Sequence, residues 1–181
     1  IGSSAFYGCS SLTQISIPFS VTQIGKYAFG GCSSLAQISI HSSVTQIGYY
    51  AFSGCLSLSR ISIPSSVTQI EDYAFKECSS LTQISIPSSL SIIGDGIFYE
   101  CYKLAKIIIQ KRKNQFIDFI NNQFLVCKSD QTSKNYDILL FAICNSEKAI
   151  IPTFIRKIGK YSFFKCSPLT QISIPSSVTE I

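Results

Sequence analysis

The sequence predicts a solenoid of stacked β-coils, and its internal repeat is the main reason. One isoleucine recurs at a constant spacing together with the other apolar positions of its unit, at Ile1, Ile24, Ile47, Ile70 and Ile93. The pattern returns at Ile158 and Ile181. Of the 181 residues, 46% are hydrophobic and only 14% are charged. This mixture favours polar-faced β-structure over disorder, and the length indicates one domain.

Each unit contains one predicted strand. In the first unit, Leu12, Ile15 and Ile17 have the spacing L-x-x-L-x-L, and strand alternation points Ile15 and Ile17 to the same face. Pro18 follows, and because proline has no N–H we expect the strand to end there. The predicted fold class is therefore a leucine-rich-repeat solenoid of right-handed coils, in which one coil equals the step from Ile1 to Ile24 and the strands pair in parallel.

A second recurring feature predicts a short helical turn in each coil. Ala28, Phe29 and Cys32 are representative, and their spacing of i, i+1 and i+4 suits one helical turn. The small alanine lets neighbouring coils approach, while the phenylalanine fills the interior. A single unit cannot bury these side chains, so the coils must stack, about 4.8 Å apart.

The period breaks between Ile93 and Ile158, where one full unit is joined by an odd segment, residues 116–157. Within this island, apolar runs at 123–127 and 137–141 flank a polar stretch, which predicts a β-hairpin projecting from the solenoid. The predicted organisation is five repeats in 1–115, the island in 116–157, and one further repeat with the start of the next in 158–181. Since both ends fall at the same repeat phase, we expect further repeats in a longer parent protein or end-to-end association.

The consensus of the units resembles a known family. The run A-F-x-G-C-S-S-L-T-x-I-x-I-P-S-S-V-T-x-I-G is nearly complete at 28–48 and 51–70, and it resembles the BspA-like leucine-rich repeats of bacterial and protozoan surface proteins. The likeness covers residues 1 to about 115 and 150–181. It implies a non-enzymatic, cell-surface or secreted protein that binds host cells, extracellular matrix or other microbes. An intracellular protein-interaction scaffold is the alternative, because no signal or anchor is visible.

Cysteines recur at one phase of the repeat. Stacking aligns them in a ladder whose parallel Cβ directions suit disulfides poorly, so buried free thiols are favoured. Two further cysteines, Cys127 and Cys144, lie in the island, and a bridge between them across the hairpin stays open. No C-x-x-C pair occurs and the chain has one histidine, so no metal site is predicted. The ladder consists of Cys9, Cys32, Cys55, Cys78, Cys101 and Cys166.

No catalytic or cofactor-binding site is predicted, and no small-molecule substrate is expected. His41 takes the position that Pro18 and Pro64 hold in other units, so we interpret it as an exposed turn residue. Nucleophilic catalysis needs a base and an orienting partner within hydrogen-bond reach, and the acid nearest to His41 in sequence is Glu71.

The outward-facing strand positions predict a binding face. If Ile15 and Ile17 point inward, Gln14 and Ser16 point outward, and the equivalent residues form a polar strip. Arg60 and Lys106 stand out because they replace the recurring glutamine. The residues predicted to contact a protein partner are Gln14, Gln37, Arg60, Gln83, Lys106 and Gln171.

Positive charge is concentrated in one region. Residues 103–165 contain twelve basic and four acidic residues, and Lys111, Arg112 and Lys113 form the candidate polyanion patch of a second alternative function. The patch is short and has no nucleic-acid fold motif around it, so nucleic acid is not favoured. The longest apolar run, residues 138–144, is far shorter than the roughly 20 residues of a spanning helix, and no transmembrane segment is predicted.

Overall fold

The computed structural model describes residues 1–110, 115–130 and 132–181. In these residues all regular secondary structure is β-strand. The strands in chain order are β1 Gln14–Ile17, β2 Gln23–Ile24, β3 Gln37–Ile40, β4 Gln46–Ile47, β5 Arg60–Ser62, β6 Gln69–Ile70, β7 Gln83–Pro87, β8 Ile92–Ile93, β9 Lys106–Gln110, β10 Ile117–Ile120, β11 Phe124–Cys127, β12 Ile138–Ala142, β13 Lys148–Ile150, β14 Lys157–Ile158 and β15 Gln171–Ser173.

Two parallel ladders of strands run along the solenoid, which confirms the predicted fold class. The longer strands pair as β1 with β3 and as β5-β7-β9, while the two-residue strands pair as β2-β4-β6-β8. Every paired residue lies one full sequence period from its partner, as Gln14 does from Gln37 and Gln23 from Gln46. The sequence period is therefore the length of one coil.

The segment that carries the alanine and phenylalanine is not a helical turn, so that prediction is wrong. The N–H of Gly30 donates to Tyr27, three residues earlier in the same coil, but the N–H of Phe29 donates across to Ala51 in the next coil, at 2.8 Å. Donors alternate in this way because Tyr27, with φ 54°, turns the backbone into the left-handed region. The result is a third ladder between coils, made of turns. We call this part of each coil the turn segment.

The core is a set of identical side chains stacked on one another. The rings of Phe6, Phe29, Phe52 and Phe75 lie nearly parallel, with centroids 5.2 to 5.4 Å apart. Phe29, Phe52 and Phe75 are fully buried. Burial of one such side chain stabilises the fold by about 2 to 3 kcal/mol, and each ring is buried only because both neighbouring coils are present.

The island contains the predicted hairpin, but the hairpin does not project. Strand β11 pairs antiparallel with β12, as expected, and β10 adds a third antiparallel strand that the sequence did not indicate. All four residues of β11 are buried. Leu125 and Cys127 pack into the main core, whereas Phe124 and Val126 pack into a second core under the last coils. The island is thus enclosed in the stack, and the proposed boundaries at 115 and 157 stay a prediction.

The cysteine prediction is confirmed in part and corrected in part. Cys32, Cys55, Cys78 and Cys101 are buried free thiols, as expected, while Cys9 is exposed. Cys166, however, forms a disulfide with Cys144, with Cα atoms 5.1 Å apart.

The open alternative of a bridge between Cys127 and Cys144 is therefore wrong. Cys127 is a buried free thiol on β11, whereas Cys144 follows the end of β12 and stacks beside the last complete coil. The sequence separation of Cys144 and Cys166 is 22, one less than the period, because the island coil is shortened. The repeat phase therefore did not reveal the pair.

Candidate binding surface

The outward side chains of the long strands form a continuous row on one face. Gln14 is in register with Gln37, and Arg60 is in register with Gln83 and then with Lys106. These side chains are exposed, except that Gln83 is half-buried. Parallel strands lie about 4.8 Å apart, so Arg60 and Lys106, two strands apart, stand about 10 Å from each other. The structure thus brings five of the six residues of the predicted strip together.

The sixth residue lies beyond the island with a neighbour that sequence reasoning missed. Gln171 on β15 is in register with Lys148 on β13, and both are exposed. Lys148 lies one full period before Gln171, so the repeat phase carried the necessary signal. We use the name polar strip for the two groups together, Gln14, Gln37, Arg60, Gln83 and Lys106 before the island and Lys148 and Gln171 after it. It carries three cations and no acid.

A shallow depression marks the first part of the polar strip. It has a volume of about 550 Å³ and is open to solvent. Amide, hydroxyl and guanidinium groups offer donors and acceptors here, while the side chains of Ile15 and Ile38 pack against the core. The lining residues are Gln14, Ile15, Ser16, Gln37, Ile38, Ser39 and Arg60.

An exposed aromatic pair lies where β1 and β3 end. Phe19 is 77% exposed, and its ring meets the ring of His41 edge-on, with centroids 6.5 Å apart. His41 is exposed, as the sequence indicated, and its Nδ1 accepts the backbone N–H of Ser43 at 3.1 Å. The imidazole is therefore held as part of a turn. Phe19 was missed because it stands where most other units have serine.

The remaining predicted sites gain no further support. Lys111, Arg112 and Lys113 lie outside the described residues, so the polyanion patch stays a prediction. Among the residues that the structure covers, no group of three His, Cys, Asp or Glu side chains is placed to hold a metal ion. Within the same residues, no helix is long and apolar enough to cross a membrane.

The repeats match a described family over the whole chain. The model of the BspA type leucine rich repeat region matches residues 1–130 and 127–181, in six copies. The chain belongs to this family. No curated protein matches it.

Solved structures show the same fold. The chain is similar to a leucine-rich repeat protein of T. pallidum, at 27% identity and a TM-score of 0.62, covering 99% of this chain and 65% of that one. A leucine-rich repeat protein of Bacteroides ovatus is 28% identical with a TM-score of 0.68, covering 98% and 41%. A leucine rich cell surface protein of Faecalibacterium prausnitzii is 28% identical with a TM-score of 0.70, covering 100% and 57%. The chain thus spans less than two thirds of the length of each of these relatives.

Proposed function

We propose that this BspA-type repeat protein is a non-enzymatic binding module that uses the polar strip to hold a protein partner at the cell surface. The observation that carries the proposal is the register of the strip. Glutamine and basic side chains lie in register on paired strands of an exposed face, with Arg60 and Lys106 two strands apart, Lys148 beyond the island, and no acid among them. Such a row complements an extended partner that presents carboxylates.

The proposed cell-surface location is supported by a similar protein and by the Cys144–Cys166 disulfide. The similar protein of Faecalibacterium prausnitzii is described as a cell surface protein. The Cys144–Cys166 disulfide is also in keeping with an oxidising environment outside the cell. Host-cell or matrix proteins are the partners that this location makes available.

The location is tested by antibody staining of intact source cells, with permeabilised cells as control. The antibody is raised against a peptide that includes Thr132, Lys134 and Asn135, which are exposed. Staining of intact cells is the expected result. Staining that needs permeabilisation contradicts the surface location and favours the intracellular scaffold.

The binding face is tested with a pair of variants. The probes are purified extracellular-matrix glycoproteins, each coated on a sensor. Gln37→Trp fills the depression, whereas Gln23→Trp places the same bulk on β2, in the other ladder. We expect Gln37→Trp to weaken binding at least about tenfold and Gln23→Trp to leave it unchanged. Equal effects, or no binding of any matrix protein by the unaltered chain, contradict the proposal.

A further inference from the structure

A cleft opens where the island interrupts the stack of turn segments. Its volume is about 560 Å³. One wall belongs to residues 98–105 of the fifth coil, the opposite wall to residues 161–168, and residues 141–145 of the island form the floor. The island coil has strand β12 in place of a turn segment, so the fifth coil has no ordinary neighbour on this side. This volume falls in the range of ligand-binding clefts.

Backbone donors that are paired in the regular coils face this cleft without acceptors. The N–H of Phe75 donates to Ile97 at 3.1 Å, and the N–H of Glu77 donates to Tyr99 at 2.8 Å. Phe98 and Glu100 hold the same positions one coil later. Both line the cleft, and their N–H groups bond to no residue that the structure describes. Two carbonyl oxygens, from residues two apart in a peptide, would complete the ladder.

The side chains around the cleft combine apolar contact with positive charge. Leu104 and Ile143 are buried at its base, and the ring of Phe164 forms part of one wall. Lys165 Nζ donates to the hydroxyl of Tyr102 at 3.2 Å across the mouth. Lys103 and Lys165 outnumber the single acid, Glu100, among the lining residues.

The spacing of the cleft walls is fixed by contacts between them. The rings of Tyr99 and Tyr161, from opposite sides, lie with centroids 4.5 Å apart. The Cys144–Cys166 disulfide ties the floor to the far wall. A site with fixed walls loses little conformational entropy when it takes a ligand.

We propose that this cleft binds an acidic, aromatic-containing peptide segment of a partner protein, which takes the place of the missing turn segment. The carbonyl oxygens of the peptide accept from Phe98 and Glu100, its apolar side chain packs against Leu104 and Phe164, and its carboxylates face Lys103 and Lys165. A peptide fits better than a sugar because the unpaired donors repeat the spacing that turn segments of this chain satisfy. No residue of the polar strip lines the cleft, so the two proposals are tested by different variants and fail independently.

Two peptides cut from the protein's own turn segments serve as probes. Residues 71–79 carry three acids and one lysine, whereas residues 48–56, in the same register, carry no charge. Each is made with serine in place of its cysteine and labelled with fluorescein. We expect the 71–79 peptide to bind the chain and the 48–56 peptide to bind more weakly, with the difference shrinking as salt is raised.

The site is verified by a matched pair of variants. Ala105→Trp blocks the mouth of the cleft, and Ala36→Trp places the same side chain at the same exposed repeat position three coils away. Measured by fluorescence anisotropy, Ala105→Trp is expected to weaken binding of the 71–79 peptide at least about tenfold, and Ala36→Trp to leave it unchanged. Equal effects of the two variants overturn the proposal, as does failure of the 71–79 peptide to bind at millimolar concentration.

Amide hydrogen exchange gives a readout that does not depend on the variants. In the unaltered chain, the Glu100 amide is expected to exchange faster than the paired Glu77 amide, and to become protected when the 71–79 peptide is added. An unprotected Glu100 amide in the complex overturns the proposal. Binding of cellohexaose that Ala105→Trp abolishes would identify a carbohydrate site instead, and would overturn it too.

Discussion

The thiol of Cys55 donates a hydrogen bond to the carbonyl oxygen of Phe29, 3.3 Å away in the preceding coil. The same bond recurs from Cys32, Cys78 and Cys101 to the carbonyl oxygen of a phenylalanine in the preceding coil. The small thiol thus fills the interior and satisfies a buried acceptor. This dual role explains why cysteine recurs at this position without forming disulfides within the ladder.

Cys55→Ala is expected to lower the free energy of unfolding by about 1 to 3 kcal/mol, because a small cavity remains and the Phe29 carbonyl keeps only one of its two donors, the N–H of Cys32. Urea unfolding followed by circular dichroism measures the change. Cys9→Ala is the control, since Cys9 is exposed at the same repeat phase and should change stability by less than about 0.5 kcal/mol. Equal losses for the two variants would show that the hydrogen bond is irrelevant.

The period of the sequence was enough to predict the coils, the inward isoleucines and the polar strip. Every strand pair in the regular coils joins residues one period apart, and a slip by one residue would turn Ile15 and Ile17 away from the core. The turn segment was predicted incorrectly, since its i, i+1, i+4 spacing fits a helical turn as well. Only the alternate donation of N–H groups to the next coil, as from Phe29 to Ala51, distinguishes the observed turn segment from a helical turn.

The island was the part that the repeat could not specify. Antiparallel pairing of β10 with β11 depends on the turn at Asn121 and Asn122, both with positive φ, and the periodicity of the coils carries no information about it. The disulfide of Cys144 and the cleft over the island arise from the same shortened coil. Neither could be predicted from the sequence repeat, because this coil departs from the repeat.

Stability is expected to fall as pH rises above about 9, because buried thiols keep their protons in the folded chain. Burial, followed by the nearby charges of Asp137 and Asp95, raises the pKa of Cys127 to about 12. Below the unfolded pKa of about 8.5 both states are protonated, so the contribution is fully present. Between the unfolded and folded values only the unfolded chain loses the proton, which favours unfolding.

The measurement is the free energy of unfolding in urea from about pH 7 to about pH 10.5, a range that starts below the unfolded thiol pKa and ends above it. The unaltered chain should lose stability more steeply than Cys127→Ala, by up to about 1.4 kcal/mol per pH unit for this one thiol. Parallel curves for the two chains would show that Cys127 is already ionised or exposed when folded.

Removal of the Cys144–Cys166 disulfide is expected to destabilise the chain. The bridge closes a loop with a sequence separation of 22. By restricting the unfolded chain, it raises the free energy of unfolding by about 3 kcal/mol. Thermal unfolding of the double variant Cys144→Ser and Cys166→Ser should show a lower midpoint, and dithiothreitol should lower the midpoint of the unaltered chain but not of the variant. A free Cys144 thiol in peptide mass spectrometry of the oxidised protein would contradict the pairing.

Gly96 lets the coils on both sides of the island meet. A Cβ atom at Gly96 would lie 2.7 Å from Cε1 of Tyr73 and 3.3 Å from Cδ2 of Tyr161, and its φ is +59°. Gly8 has a similar φ of +72° but open space around it. Gly8→Ala should therefore lower the free energy of unfolding by about 1 to 2 kcal/mol, because alanine is strained at a positive φ. Gly96→Ala should lower it further, because its Cβ also meets the two tyrosine rings. Equal unfolding midpoints for the two variants would show that the tyrosines move aside freely.

The most direct test of the polar strip is a charge reversal at its centre. Arg60 lies on the strip, whereas Lys26 is an exposed cation on a turn segment, so Arg60→Glu and Lys26→Glu change the net charge equally. Binding of both variants to immobilised matrix glycoproteins is compared with that of the unaltered chain by biolayer interferometry. A loss of at least about tenfold for Arg60→Glu alone is the predicted result. Equal binding by the two variants would show that the strip is not the surface that holds the partner.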